Sequence, residues 1–456
     1  MSEVTITAKI KLLPDKEIQA SLLASMEQYR LACNFIADNI SENHSLNQNS
    51  VHKAVYTDVR SLFGLTAQMT CSAVRTVIAK YKTIQANLKR KPKVRKGKIV
   101  DQWDVKPDFK QPQCDLLFGS KRDYGFLKGN DGIFSISTVN GRVEVPFVKN
   151  GIEHYFDKSK YKFGTAHLTQ IRGKFYLLVS VTETVEECKP EEVKNIVGID
   201  RGIRFIATSY DSDKKTRFFS GSEVKQKRAK FNVLRQKLQK RGTSSARRRL
   251  KAIGQRENRW MSDVNHCVTK TLVEQYPAKT LFVLEDLSGI RGATERVKRK
   301  DRYVQVSWSY YDLEKKLKYK AERNGSKMTK VSAKYTSQCC PVCGHVQKSN
   351  RDSKLHCFCC KHCGYRSNDD RIGAMNLYRL GLEWLENPVK NPETTIKITK
   401  IDRNKLSVDG VESRTPRCNA TACSNEQEEK GRRCKTVCTT GQLQVLCQSS
   451  TTLRTP

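Results

Sequence analysis

The chain opens with an alternation of apolar and polar side chains, the pattern of a strand with one buried face. The apolar positions are Val4, Ile6, Ala8, Ile10 and Leu12. Pro14 ends this alternation. Apolar residues then recur at steps of three and four from Ile18 to Ile36, which predicts a helix, and the helical pattern continues to about Leu88.

Between about residue 120 and residue 187 the pattern returns to strands. Asn140-Gly141 and Arg172-Gly173 each separate two strand-like segments, which is typical of tight hairpins. The paired segments are 133–139 with 142–148, and 168–171 with 174–181. They predict a small antiparallel barrel or sheet. The first strand is expected to join it, so that the helices form an insertion.

From residue 195 onward, continuous apolar segments alternate with helical patterns, which indicates a mixed α/β region. Continuous apolar runs are typical of strands that are buried on both faces. Strands are predicted at 196–199, 204–210 and 280–284, and helices at 223–260, 262–276 and about 370–385. Residues 387–456 lack hydrophobic periodicity and are predicted to form a disordered tail.

The composition points to a polyanionic partner. The 456 residues contain 84 Lys and Arg against 47 Asp and Glu, a net charge of +37, which is too large for a generic metabolic enzyme and favours nucleic acid. A 38% hydrophobic fraction still allows a buried core. No apolar run could span a membrane and the start does not resemble a signal peptide, so the 17 Cys are expected to be reduced thiols and metal ligands.

Carboxylates stand where three of the predicted elements begin or end. Asp200 and Glu285 each close a buried apolar strand, where an unpaired charge is costly, and Asp369 and Asp370 stand where the last helix begins. A strand-end turn or a helix N-cap explains each acid taken alone. Together they suit a Mg²⁺ site, because Mg²⁺ prefers carboxylate oxygens and two such ions can support phosphodiester cleavage. The spacing leaves open whether the acids converge.

Two matched Cys knuckles are the most specific local signal. They are Cys340-Pro341-Val342-Cys343-Gly344 and Cys360-Lys361-His362-Cys363-Gly364. This pattern predicts a four-Cys zinc ribbon, with Cys340, Cys343, Cys360 and Cys363 as ligands. The site is expected to be structural, with binding worth on the order of 10 kcal/mol. Cys339, Cys357 and Cys359 are spare thiols, one of which could compete for the metal.

Basic residues are concentrated in two segments, 80–98 and 223–260. The second carries fourteen Lys or Arg and two Glu, and Phe231, Leu234 and Leu238 keep helical spacing within it. This predicts a helix with one apolar face and one phosphate-binding face, against the alternative of a solvated charged surface. The candidate nucleic-acid contacts are Lys237, Arg241, Arg247, Arg248 and Arg249.

The order of these motifs resembles the TnpB family, the RNA-guided nucleases of insertion sequences, and the related miniature type V CRISPR effectors. The resemblance rests on GIDRG around Asp200, LEDLSGI around Glu285, NDDRIGAMNL around Asp370, and the segments YTSQCCPVCG and CKHCGY. The opening ITAKIKLLPDKE also fits. The likeness covers about residues 3–385.

The resemblance implies an α+β multidomain fold with an RNase H-like (RuvC) nuclease domain. The implied parts are a wedge β-barrel at 1–13 and 120–187, a helical recognition lobe at 14–119, the nuclease at 190–335 and 366–386, and a zinc ribbon at 336–365. It implies Asp200, Glu285 and Asp370 as catalytic acids that bind Mg²⁺ or Mn²⁺. The third motif departs from the common family form at Ile372 and Gly373, which leaves Asp369 as an alternative. Asp370 is preferred because it keeps Ala374 and Asn376 in register.

The implied activity is RNA-guided cleavage of DNA. A structured guide RNA would pair with target double-stranded DNA beside a short target-adjacent motif, and the protein would act as a monomer or homodimer on that RNA in the bacterial cytoplasm, near the nucleoid. The alternatives are a miniature CRISPR effector, a non-cleaving RNA-guided repressor and a DNA transposase. A repeat array beside the gene would indicate the CRISPR effector, and a transposon end would indicate the insertion-sequence nuclease.

Overall fold

The computed structural model describes nine stretches of the chain. They are residues 1–90, 92, 94–95, 98–119, 122–127, 130–157, 159–287, 310–352 and 355–388. The predicted tail lies outside the described residues from 389 onward. The described residues combine helices with several antiparallel sheets and one mixed sheet, so the α+β class predicted from the sequence is confirmed at that level. None of the described helices is long and apolar enough to span a bilayer.

Three helices follow the first strand. They are α1 (Lys16–Asn43), α2 (Gln48–Phe63) and α3 (Ala67–Arg90). Local capping explains their limits, because the Asp15 carboxylate accepts from the Ile18 N–H at 2.8 Å and Gly64 ends α2 with φ +61°. Their buried faces meet in one core around Tyr29, Val55 and Tyr81.

The strands of the first 185 residues form antiparallel sheets. They are β1 (Ser2–Lys11), β2 (Val94–Arg95), β3 (Lys98–Ile99), β4 (Cys114–Leu116), β5 (Tyr124–Leu127), β6 (Asn130–Thr138), β7 (Gly141–Pro146), β8 (Tyr161–Ile171) and β9 (Lys174–Val185). Four strands follow the order β1-β9-β8-β4, and three more follow β5-β6-β7. Strand β1 pairs with β9 along its whole length, which leaves the three helices as an insertion between paired strands. Both predicted hairpins, β6–β7 and β8–β9, are present.

The remaining elements build a five-stranded sheet covered by helices and a smaller Cys-rich sheet. They are β10 (Asn195–Asp200), β11 (Phe205–Asp211), β12 (Thr216–Ser220), α4 (Ser222–Arg241), α5 (Ser244–Glu274), β13 (Thr280–Asp286), α6 (Tyr310–Arg323), β14 (Lys327–Ser332), β15 (Arg351–Asp352), β16 (Cys357–Cys359), β17 (Arg366–Asn368) and α7 (Asp369–Glu386). The large sheet has the order β12-β11-β10-β13-β14, and β10, β13 and β14 run parallel. Alternate side chains of its central strands face α5 and α6 on one side and α7 on the other.

The predicted helices at 223–260 and 262–276 have a different boundary in the structure. The break falls at Gly242 and Thr243 instead. Gly242 ends α4 with φ +66°, and the Thr243 hydroxyl accepts from the Ala246 N–H to begin α5. A glycine C-cap next to a threonine N-cap therefore outweighs the hydrophobic pattern that suggested one continuous helix.

Two glycines let α7 lie directly on the large sheet. A side chain at Gly198 would overlap the backbone of Ala374 and Tyr378, and one at Gly381 would come within 2.8 Å of Ile196 Cγ2. This close approach brings the first turn of α7 to the edge of the sheet where β10 and β13 end.

Candidate active site

The three acids predicted from the motifs lie at one edge of the large sheet. Asp200 ends β10, and Glu285 lies next to it on β13, because Ile199 pairs in parallel register with Leu284. Asp370 comes from the first turn of α7, where the Asn368 side chain accepts from the Asp370 N–H at 3.0 Å. Parallel pairing and one helix cap therefore place three carboxylates, separated widely in sequence, around the same edge.

Crowding and burial dominate the electrostatics of these acids. Burial raises the pKa of Asp200 well above its usual value, and the adjacent Glu285 and then Asp370 raise it further. Burial also raises the pKa of Asp370, to which Asp369 adds. Among the described residues, Asp370 Oδ2 has no hydrogen-bond partner although it is buried. Arg351 favours the charged form of both acids, but burial and the neighbouring carboxylates outweigh it and oppose ionisation.

A glycine lets α7 pack directly against Asp200. A Cβ at Gly373 would lie 2.8 Å from Asp200 Cγ and 3.0 Å from both of its carboxylate oxygens. The glycine that departs from the common family motif therefore stands where a larger residue would crowd the carboxylate. Asp370 Oδ1 also lies near the end of β10, 3.7 Å from a Cβ built at Gly202.

The neighbouring Asp369 faces a different set of residues. It is fully buried, its carboxylate forms an ion pair with Arg351 at 2.9 Å, and His356 Nδ1 lies 3.6 Å away. The side-chain ligand atoms of His356, Asp369 and Asp370 all lie within 4.8 Å of one another. Asp200, Glu285 and Asp370 do not form so tight a set, although Asp200 and Glu285 are in direct contact.

A buried arginine that sequence reasoning missed anchors the strand ends. The Arg201 side chain is 0% exposed, donates to the main-chain oxygen of Glu285, and forms an ion pair with Glu314 at 3.3 Å. It also donates to the Tyr310 carbonyl at 3.3 Å. The sequence signal that could have identified Arg201 is its position directly after Asp200 in GIDRG. Nothing in the sequence indicates its partners. Arg201 holds the end of β13 against α6.

The four predicted Cys ligands come together in the Cys-rich region. The sulfurs of Cys340 and Cys363 are 3.6 Å apart, and those of Cys343 and Cys360 are 3.5 Å apart. All four sulfurs lie within 4.8 Å of one another, so the cluster can hold a metal ion. Burial raises the pKa of Cys360, but N–H donation from Cys363 and His362 and the neighbouring thiols outweigh it and lower that pKa to about 7. One thiolate of the set is therefore readily formed.

The three spare thiols lie outside this set. Cys339 is buried and points towards the main-chain oxygens of Cys340 and Gly344, at 3.7 and 3.8 Å. Cys357 and Cys359 belong to β16, and the Cys357 thiol contacts the Leu355 oxygen at 3.4 Å.

A buried asparagine joins the Cys-rich region to α7. Asn376 Nδ2 donates to the main-chain oxygens of Thr336 at 2.7 Å and Cys339 at 2.8 Å. The helix that carries Asp370 is therefore tied to the first Cys knuckle, in addition to the Arg351–Asp369 ion pair.

The basic segment 223–260 forms most of a helical hairpin with its own small core. Leu238, Ala246 and Ile253 are buried between α4 and α5, with Phe231 and Leu234 packed against them. The candidate nucleic-acid contacts are exposed on this hairpin: Lys237, Arg241, Arg247, Arg248 and Arg249. The segment 80–98 continues α3 to Arg90, and residues 91, 93, 96 and 97 lie outside the described residues.

Family models match the two parts of the chain that carry the acids and the cysteines. Residues 178–289 match the OrfB_IS605 model, described as a probable transposase, and residues 310–377 match the Cas12f1-like TNB domain. The CRISPR-associated endodeoxyribonuclease Cas12f1 of Syntrophomonas palmitatica is 25% identical over 256 residues, which cover 53% of this chain and 50% of that protein. A TnpB-like protein of Methanocaldococcus jannaschii is 28% identical over 201 residues, or 42% of this chain and 70% of that protein.

The fold also has a counterpart among solved structures. The cryo-EM structure of a Cas12f1–sgRNA–target DNA complex matches with a TM-score of 0.52 and 15% identity, covering 79% of this chain and 82% of that chain. The chain spans about half the length of the first curated relatives that it matches. These matches confirm the resemblance carried by the motifs: the chain is a relative of the TnpB-like proteins and of the Cas12f1 endodeoxyribonucleases.

Proposed function

We propose that this protein is an RNA-guided DNA endonuclease. The observation that carries the proposal is the meeting of Asp200 and Glu285 on adjacent strand ends, with Asp370 facing them from α7, in a chain of net charge +37. Relatives named as endodeoxyribonucleases, and a matching fold solved with guide RNA and target DNA, support it. The partners would be a structured guide RNA and double-stranded DNA with a short target-adjacent motif.

Divalent metal ions fit the acidic site. Crowded carboxylates with raised pKa values, and a buried Asp370 oxygen without a described partner, are the donor set that Mg²⁺ or Mn²⁺ prefers. Asp200, Glu285 and Asp370 would hold the ions. When bound, such ions activate water and stabilise the leaving oxygen of a phosphodiester.

The residues around the acids have positioning roles. Arg201 holds the end of β13 through the Glu285 main-chain oxygen, so the Glu285 side chain keeps its place beside Asp200. Arg351 neutralises Asp369, which leaves Asp370 as the first-turn acid free to face the strand ends. Gly373 lets α7 approach Asp200 closely, which brings the first turn of that helix to the strand ends.

The finer assignments follow from this function. The five-stranded sheet with its helices would be a RuvC-like nuclease of RNase H type, at 190–335 and 366–386, interrupted by a zinc ribbon at 336–365. The antiparallel sheets of 1–13 and 120–187 would be the wedge barrel, and 14–119 the recognition lobe. Zn²⁺ would be the metal of Cys340, Cys343, Cys360 and Cys363. The protein would work in the bacterial cytoplasm as a monomer or homodimer on RNA.

The experiment is programmed cleavage with purified components. The protein is loaded with RNA transcribed from the end of its own gene and the adjoining DNA, with a chosen guide sequence, and given plasmids that carry the matching target beside randomised flanks. We expect Mg²⁺-dependent double-strand breaks only in plasmids with the target and a defined flank. Binding without any break would favour the repressor, and strand transfer into a second DNA would favour the transposase.

The cleavage experiment does not identify the source of the guide RNA. The DNA on either side of the gene identifies it. A repeat array beside the gene would identify a miniature CRISPR effector, whereas a transposon end would identify an insertion-sequence nuclease.

A further inference from the structure

Two phenylalanines contact each other on the large sheet, beside the strand-end acids. The ring centroids of Phe205 on β11 and Phe218 on β12 are 4.8 Å apart, and the ring planes meet at 49°. Phe218 is 43% exposed, and within the described part of the chain neither ring belongs to the hydrophobic clusters on the two faces of this sheet. A single exposed apolar side chain is common on a protein surface, but two in contact form a patch, which is more typical of a binding surface.

The strand register places Phe218 level with Asp200. Asp200 pairs with Thr208 on β11, and Thr208 pairs with Phe218 on β12. Paired residues of an antiparallel ladder point to the same face, so Phe218 shares the face of the Asp200 carboxylate, against which α7 packs. Two interstrand spacings put the two residues roughly 10 Å apart. The same face meets α7 again at Arg371, whose Nε donates to Thr216 Oγ1, two residues before Phe218, at 2.9 Å.

A bulge in β11 turns Phe205 to this face as well. The pairing of β11 with β12 shifts its register between Phe205 and Ala207, and both Ile206 and Ala207 are buried on the opposite face, against α5 and α6. In a regular strand, Phe205 would alternate to that buried face and could not contact Phe218. Bulges next to active sites often redirect a side chain in this way. The exposed pair is therefore produced by a specific departure from regular pairing.

The turn between β10 and β11 connects this pair to the acids. The Gly202 N–H donates to the Phe205 carbonyl oxygen at 3.0 Å, and a Cβ built at Gly202 would lie 3.7 Å from Asp370 Oδ1. The Gly221 N–H donates to the Arg204 carbonyl oxygen at 2.7 Å, which fixes the other side of the turn. The Arg204 side chain is exposed, and its guanidinium lies 5.6 Å from the centroid of the Phe205 ring. A cation and an aromatic surface thus border the acidic site.

We propose that Phe218 and Phe205 form a stacking platform for one unpaired base of the DNA strand that is cut, with Arg204 contacting a neighbouring phosphate. Every base has a flat π-face that can stack on an aromatic side chain, and an unpaired strand offers that face freely. At about 3.4 Å per stacked nucleotide, roughly 10 Å corresponds to no more than about three nucleotides between the stacked base and the cut. The identity of the strand rests on the proposed function, whereas the stacking site rests on the ring geometry and the register.

The test removes the aromatic face and then restores it. Phe218→Leu keeps an apolar side chain, and because Phe218 is exposed on an edge strand, its melting temperature should stay within about 2 °C of the parent value. Phe218→Trp restores a stacking surface. Tyr56→Leu is the matched control, because the Tyr56 ring on α2 also contacts a second ring, His52 at 4.7 Å, and an arginine, Arg60 at 5.7 Å, away from the large sheet.

The first measurement is single-turnover cleavage by the RNA-loaded protein, on targets that carry one abasic nucleotide at successive positions around the cut. In the parent protein, loss of the base at one position within about three nucleotides of the cut should slow cleavage about tenfold. Phe218→Leu should cut the intact target about tenfold more slowly, and loss of the same base should then slow it less than about twofold further, because both changes remove one interaction. Phe218→Trp should restore the rate and the sensitivity, and Tyr56→Leu should match the parent.

The second measurement needs no programmed cleavage. A short single-stranded DNA with one 2-aminopurine, a base whose fluorescence is quenched by stacking, is titrated with the full chain in Ca²⁺ instead of Mg²⁺. We expect quenching by the parent protein, by Phe218→Trp and by Tyr56→Leu, and at least about fivefold weaker quenching by Phe218→Leu.

Four outcomes would overturn the proposal. They are no quenching by the parent protein, equal quenching by Phe218→Leu, an abasic profile unchanged in that variant, and stronger quenching of the RNA of the same sequence. Failure of the proposed function looks different: the parent protein would quench the DNA base as expected but would make no programmed breaks.

Discussion

Two partly buried aspartates in different parts of the molecule have pKa values shifted in opposite directions. Asp115, on β4, accepts from His167 Nδ1 at 2.6 Å, from the Thr76 hydroxyl at 2.7 Å and from the Tyr29 hydroxyl at 3.4 Å. Burial raises its pKa, but these hydrogen bonds outweigh burial and hold that pKa below the usual value. Asp200 is surrounded by other carboxylates, and its pKa is raised.

This difference fits a structural role for Asp115 and the metal-binding role proposed for Asp200. Hydrogen bonds to the charged form make Asp115 a source of stability. Asp200 costs stability in the free protein because burial and like charge both oppose its ionisation. Asp115 therefore has partners within the protein that favour its charged form, whereas the proposed partners of Asp200 are a metal ion and the substrate.

The largest expected effect is on the acids. Asp200→Ala should reduce programmed cleavage by at least about a thousandfold, because it removes a metal ligand, while RNA and DNA binding stay near normal. In magnesium-free buffer without chelator, its melting temperature should equal or exceed that of the parent protein. Asp213→Ala, an exposed acid in the β11–β12 turn, is the control. Residual cleavage near the parent rate would remove Asp200 from the site.

The next effect concerns the Cys cluster. The parent protein should contain one zinc per chain, and Cys343→Ser should lose it together with the order of the Cys-rich sheet, since metal binding there is worth on the order of 10 kcal/mol. Cys357→Ser is the matched control and should retain the metal. Elemental analysis with thermal unfolding measures both. Full zinc in Cys343→Ser would show that a spare thiol has replaced it.

The adjacent acids of α7 should separate into two roles. Asp370→Ala should abolish cleavage as Asp200→Ala does. Asp369→Ala should mainly lower stability, by roughly 1–3 kcal/mol, because Arg351 loses its partner while it is still half-buried. Cleavage rate and denaturant unfolding are measured on both variants. The opposite pattern, with cleavage lost only in Asp369→Ala, would move the catalytic register by one residue.

Asp115 should affect stability without affecting the chemistry. Asp115→Ala should cost about 1–3 kcal/mol of unfolding free energy because it leaves His167 and Thr76 without their acceptor. Since the folded-state pKa of Asp115 is lowered, its contribution is fully present above its unfolded value and is lost as the pH falls through the folded value. Asp115→Ala should therefore lose less stability on acidification than the parent does. Equal losses would contradict this role.

The pH response of Asp200 should have the opposite sign. Its raised folded pKa means that the metal-free protein gains stability as the pH falls towards the unfolded value, and Asp200→Ala should lack that gain. Urea unfolding in magnesium-free buffer over a pH series compares the two aspartates directly.

The smallest expected effect is removal of the tail. Truncation after Asn391, with the guide RNA supplied from a separate gene, should change cleavage less than about twofold, because the segment lacks the hydrophobic periodicity of a packed domain. Supplying the RNA from a separate gene distinguishes a role of the tail's amino acids from a role of the nucleotides that encode them. Collapse of cleavage with intact RNA would assign the tail a protein role.

Local patterns were sufficient to predict much of the architecture. The alternation from Val4 to Leu12, the turn dipeptides Asn140-Gly141 and Arg172-Gly173, and the apolar runs before Asp200 and Glu285 all predicted elements that the structure contains. The Cys knuckles likewise predicted which sulfurs would meet. Each of these signals spans only a few neighbouring residues. Backbone propensity and the periodicity of apolar side chains are therefore enough to interpret it.

The remaining features of the site depend on contacts between distant segments, and only the tertiary structure decided them. The parallel register of β10 with β13 sets Glu285 beside Asp200, and the glycines at 198 and 381 let α7 approach closely enough for Asp370 to face them. The buried partners of Arg201, and the division of roles suggested for Asp369 and Asp370, rest on groups that approach only once the chain has folded. Sequence spacing carries no information on such distances, because burial and charge pairing are properties of the packed molecule.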